Sequence, residues 1–446
     1  MNPTRLWLQF VRLALVCALG PGLGLAVWMT GAWALGVPRG LWYLTAIQTH
    51  SVALLMGWGG AMILGVGLHF LPRLRGVKLF RPAWAGLLFW GLTLGLGGRI
   101  AGQLLLATLD VPVSNSLIDW LNMAVAGGVT LQTVSVISLL ILLAITFRTG
   151  RPLKENEGFR QILPLLAVAG SALGLAQLAW CGGVMQNLMT KQSLALLPTA
   201  PSGMAADLML CGFVPAVSLA MSARLFPLTF RTRLANSRGL FVAAGLLAIG
   251  IILSLLETRL SASLAGWAAV FQAAGLLCGT FSVRIFHSRK PTSRTTTANR
   301  IRRDPAAVGV VTAYIWASVA AIFLLLQALP AAGLPIPVQL TESNLSRHAI
   351  GVGFMTLLIV SVGWKMLPGF AGHQPHGRGL LWCTVFSGNL TAFLRILPAL
   401  QTADSRVPGS WSEPLFPVAG LAGLATLLAF ALALHRSFHD TKTRPS

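Results

Sequence analysis

The chain has 446 residues, 55% of them hydrophobic and only 10% charged, with a mean hydropathy of +0.74. Soluble domains carry about 25% charged residues, so a water-soluble enzyme is excluded, and so much apolar surface excludes disorder. The net charge of +22 sits in short loops between apolar runs. There it reads as an orientation signal for a membrane protein, not as a nucleic-acid surface. The predicted fold class is all-α: a polytopic membrane protein in the lipid bilayer.

Runs of about 20 apolar residues suffice to span, and the chain offers twelve: roughly 13–36, 47–71, 83–107, 117–147, 161–189, 204–229, 239–256, 262–287, 306–329, 347–371, 379–399 and 414–435. The first runs past 20 residues without a clear small-residue cleavage site, so it reads as a span and not as a removed signal peptide. The longest polar insertion, Ser288 to Asp304, is predicted to be a loop. All five cysteines fall in apolar stretches and none forms a CxxC pair, which argues against a disulfide framework, zinc ribbon or iron–sulfur cluster. Lys and Arg concentrate after the even-numbered spans, at Arg73, Arg75, Lys78 and Arg81, at Arg148, Arg151, Lys154 and Arg160, at Arg231, Arg233 and Arg238, and from Arg284 to Arg303. Of the 33, 26 fall on one side with both termini and 7 elsewhere. That bias predicts a multi-pass inner-membrane protein with both termini cytoplasmic.

Three windows align without gaps: Met56-Gly57-Trp58 to Leu71-Pro72, Cys211-Gly212-Phe213 to Phe226-Pro227, and Val352-Gly353-Phe354 to Leu367-Pro368. In each, a basic residue (His69, Arg224, Lys365) lies 12 after the glycine; its place at the inner helix end reads as helix-end stabilisation. The windows fall in the second, sixth and tenth spans. They imply one transmembrane domain of three pseudo-symmetric four-helix repeats, about 1–150, 151–297 and 298–446. Arg99 and Arg395 each lie 42 residues after their window glycine, while the middle third has Ser254 there.

A charged side chain at a helix centre costs about 2.5–3.5 kcal/mol in the bilayer. Arg99 and Arg395, both in the outer half, are therefore the first candidates for binding an anion; the structural alternative is a pair with an outer-side carboxylate. His50 and His348 open the second and tenth spans from the same side. One histidine at a helix start is ordinarily interfacial. Two, on related helices with two arginines near, suit a haem: the imidazoles as iron ligands, the arginines neutralising its carboxylates. Asp207 takes in the sixth span the place His348 takes in the tenth, as an arginine partner, a proton carrier or an ordinary helix N-terminal carboxylate. His373 and His376 fall in a cytoplasmic turn and His287, His435 and His439 at or beyond inner helix ends, and none is assigned to a metal site.

The segment Arg347-His348-Ala349-Ile350-Gly351-Val352-Gly353-Phe354, followed by Leu367-Pro368-Gly369-Phe370-Ala371-Gly372, resembles NnrS-type proteins. His50 through Gly57 to Phe70-Leu71-Pro72-Arg73-Leu74-Arg75-Gly76 resembles their second helix and that of haem–copper oxidase catalytic subunits, which also have twelve spans in three four-helix arcs. The likeness covers the whole chain in topology and about fifty residues in motif. It implies a haem-binding membrane protein linked to nitric oxide stress or denitrification, associated with a respiratory or denitrification complex, with His50 and His348 as metal ligands and Arg99 and Arg395 as cofactor-binding residues. Where NnrS proteins carry a second His and a Glu, this chain has Val52 and Ala53, and no His lies between His69 and His287. No copper centre is therefore expected, and no reaction is assigned. The other readings are an anion or small-molecule transporter on the same helices and a cofactor-free respiratory assembly factor.

Overall fold

A computed structural model of the chain describes residues 6–108, 115–150, 152, 155–257, 260, 263–287, 304–400 and 414–439. Among them stand twelve long helices and no β-strand: α1 (Leu6–Ala34), α2 (Leu41–Arg75), α3 (Pro82–Thr108), α4 (Asn115–Arg148), α5 (Glu157–Met189), α6 (Thr199–Thr229), α7 (Ser237–Glu257), α8 (Ser263–Val283), α9 (Pro305–Ala328), α10 (Ser343–Phe370), α11 (Arg378–Ile396) and α12 (Leu415–His439). Eleven are long and apolar enough to cross a membrane. The other, α3, is a 27-residue helix, about 40 Å long at 1.5 Å per residue; six glycines and Arg99 lower its mean hydropathy. The chain is an all-α polytopic membrane protein.

Several helices start earlier than the hydropathy pattern places them. The second begins at Leu41 and not near 47, because the polar side chains of its first turns are used within the protein. Thr45 donates to the Ala195 carbonyl (3.2 Å), and Gln48 both donates to the Leu197 carbonyl (2.6 Å) and accepts from the Leu197 N–H (3.0 Å). The expected loop over 288–303 and the carboxylates Asp110, Asp404 and Glu413 lie outside the described residues. Asp304 caps α9, accepting from the Ala306 N–H, and also accepts from Lys365 Nζ at 2.7 Å. The basic residue of the third window thus ties two helix ends together.

The chain divides into two compact units, one of residues 1–160 with 169–209, the other of 161–168 with 210–446. In the first, α1 packs on α2 with small residues at the contacts: a Cβ at Gly57 would overlap Cys17, and one at Gly65 would overlap Phe10. In the second, α9 packs on α10 at the matching places. A Cβ at Gly353 would overlap Trp316, and one at Gly309 would overlap Ser361. Each second contact lies eight residues further along the window helix and seven residues back along its partner, so both pairs share one packing register.

Each window helix also carries a π-helical segment, at Ala53–Gly60, Leu208–Phe213 and Ala349–Thr356. Each segment begins four residues before its window glycine. These helices are the most enclosed as well. In their most apolar 18-residue stretches, 78% of α2, 83% of α6 and 56% of α10 is buried, against 33–50% for the other apolar spans. Glycine-rich inner helices of this kind let neighbouring backbones approach where lipid supplies no hydrophobic drive for association.

A buried arginine and its amide neighbours

Arg99 stands well inside α3, nine residues before its end at Thr108, and is 1% exposed. Glycines fix its backbone. A Cβ at Gly128 of α4 would lie 2.7 Å from Arg99 N and 2.8 Å from the Gly95 carbonyl, and a Cβ at Gly95 would lie 2.6 Å from Gln132 N. The two helices therefore touch backbone to backbone at this level. The guanidinium reaches α5, where it lies 4.8 Å from the centre of the Trp180 ring. A cation–π contact of this kind contributes about 0.5–2 kcal/mol and leaves the charge uncompensated. Nε and Nη1 of Arg99 have no hydrogen-bond partner, and among the described residues no carboxylate pairs with it.

The surroundings are neutral amides. Gln103, one turn beyond Arg99 on α3, is fully buried with both side-chain polar atoms unpartnered. Gln132 of α4 donates to Gln177 Oε1 of α5 at 2.7 Å, and Gln177 donates to Met56 Sδ of α2 at 3.4 Å. Gln132 Oε1 is unpartnered. Trp180 follows Gln177 by three residues, so both occupy one face of α5. The arrangement holds one positive charge among hydrogen-bonding groups of no charge, which suits a single negative charge.

The matching crossing in the second unit shows what this level looks like without an arginine. Gly250 of α7 lies 38 residues after its window glycine, as Gly95 does, and a Cβ there would meet Gln272 of α8 as one at Gly95 meets Gln132. Ser254, at the place of Arg99, accepts from Gln272 Nε2 at 3.1 Å. The pair is neutral and hydrogen-bonded, with the Ser254 hydroxyl donating in turn to the Gly250 carbonyl, so this helix crossing does not need an arginine to pack.

The other expected site residues are distributed as follows. His50 lies on α2, which packs beside α3 in the first unit. Its Nδ1 is 2.7 Å from the Gly22 carbonyl, in a π-helical turn of α1 that also contains Pro21. A carbonyl only accepts, so Nδ1 donates, and Nε2 is the lone-pair nitrogen of the neutral ring. His348 and Arg395 meet in the second unit: Arg395 Nε donates to His348 Nε2 at 3.1 Å, and His348 Nδ1 donates to the Asn344 carbonyl at 2.8 Å. Arg395 also lies 4.8 Å from the Phe416 ring. Asp207 directly precedes the π segment of α6, as His348 precedes that of α10.

The sequence pattern does not single out Gln103, Gln132, Gln177 or Trp180. The available signal is the neutral amide in an otherwise apolar span, strongest at Gln103, four residues after Arg99 on the same helix face. Among the described residues no group of three or more His, Cys, Asp or Glu is placed to hold a metal ion. No protein-family profile and no curated protein matches the chain.

Proposed function

We propose that this chain is a membrane transporter of a small monovalent anion, with Arg99 as the residue that binds it. The supporting observation is a fully buried guanidinium with two unpartnered nitrogens, at a helix crossing whose counterpart packs without one. A buried unpaired charge costs several kcal/mol unless something compensates it, and an anion is the compensation that this neutral lining lacks. One positive charge balances one negative charge; a dianion would leave a net charge in the bilayer. Nitrite is a suitable probe. Reconstituted into liposomes, the protein should give saturable nitrite entry that Arg99→Met abolishes and Arg99→Lys partly retains. Entry at the rate of empty liposomes, or undiminished by Arg99→Met, would refute the reading.

A second reading is favoured by His50. Its Nδ1 bond to a backbone carbonyl is the arrangement that orients a metal-ligating histidine and raises its basicity. This supports the haem implied by the NnrS resemblance, which His50 and Arg99 would hold, in a protein of nitric oxide stress or denitrification. Bound haem would supply an iron able to bind a gas or to accept an electron. His348 Nε2 already accepts from Arg395. Visible absorbance of the purified protein separates the two occupants. Pigment lost in His50→Ala and kept in His348→Ala supports haem, whereas colourless protein with nitrite flux supports the free anion.

A further inference from the structure

The strongest unexplained surface feature is a groove on the outside of the α3–α4 pair, away from Arg99. It is lined by Phe80, Arg81, Trp84, Leu88, Ile141 and Ile145, with Ser138 and Leu142 at its floor. Trp84 is 54% and Ile141 54% exposed, so large apolar side chains face outward on two membrane helices. Towards the far end of the pair, glycines bring the backbones together at Gly95, Gly98 and Gly102. Towards the basic loops, large side chains stand in their place, and the groove opens there.

Arg81 is held at the head of this groove by a pinned loop. Arg75 Nε donates to the Phe147 carbonyl (3.2 Å), and the Phe80 N–H donates to Thr146 Oγ1 (3.1 Å). Arg81 itself has φ +41°, a left-handed conformation that costs a non-glycine residue of order 1 kcal/mol. Its guanidinium lies 5.5 Å from the Phe80 ring centre, and among the described residues no carboxylate pairs with it.

We infer that this groove is a binding site for one anionic phospholipid, its phosphate at Arg81 and an acyl chain along Leu88, Ile141 and Ile145. Charge complementarity selects the headgroup, because Arg81 lines the groove and follows Arg73 and Lys78 in the basic stretch between α2 and α3. The apolar lining of Leu88, Ile141, Leu142 and Ile145 selects a lipid over a soluble phosphate. Native mass spectrometry of the full-length protein, released from micelles containing equal phosphatidylglycerol and phosphatidylcholine, tests it. One phosphatidylglycerol adduct should persist in excess over phosphatidylcholine. It should fall about fivefold in Arg81→Ala, the value of one basic residue near an anionic lipid, recover in Arg81→Lys, and fall in Ile141→Trp, which fills the groove. Arg148→Ala, outside the groove, is the control. Equal loss in Arg148→Ala would reduce the effect to general attraction by the basic face. Retention in Arg81→Ala, or equal competition by soluble glycerol phosphate, would also overturn the inference.

Discussion

Arg99 is a buried cation against a tryptophan face with no carboxylate partner among the described residues, and this makes its stability cost separable from its function. Replacing a buried ionic group by an apolar one of similar size is often stabilising, by about 1–4 kcal/mol. Arg99→Met should therefore raise the apparent unfolding midpoint of the purified protein. The same variant should lose the stabilisation that nitrite gives the wild type, about 2.7 kcal/mol at 100 times the dissociation constant. A midpoint that falls in Arg99→Met would mean that the guanidinium is structural. Arg99 and His50 are legible in the sequence because an ionisable residue in an apolar run is conspicuous. The amide lining is not, since which helix presents Gln177 and Trp180 to Arg99 depends on tertiary packing that one sequence does not encode locally.

At the scale of elements, glycine decides where helices meet. Gly57→Val would drive its side chain into Cys17 and should destabilise the protein by about 1–3 kcal/mol, as overpacking does. Gly97→Ala, which meets nothing within 4 Å, should be neutral or slightly stabilising in helix propensity; thermal melts of the two variants in one detergent provide the comparison. Asp304→Ala removes both the cap of α9 and the acceptor of Lys365, and should cost about 1–2 kcal/mol. The Gly-to-Pro spacing of the windows is readable from sequence. The π segments beginning four residues before each glycine are not, because no proline or insertion marks them in the second and tenth helices.

For the molecule as a whole, apolar length and composition are enough to identify a multi-pass membrane protein, and the twelve helices follow the hydropathy runs. Their early starts do not, since the hydropathy run leaves Thr45 outside the second span while the protein uses it to hold the residues before α6. The orientation proposed from the basic loops places the 149–156 connection in the cytoplasm. A reporter inserted there should be active only as a cytoplasmic fusion, and activity as a periplasmic one would reverse the topology. If the helices take one negative charge at Arg99, the most direct test is a calorimetric titration of the detergent-purified protein with nitrite, with sulfate as the dianion control. The expected result is saturable one-to-one nitrite binding, absent in Arg99→Met and much weaker for sulfate. Equal nitrite binding by wild type and Arg99→Met, or none by the wild type, would contradict it.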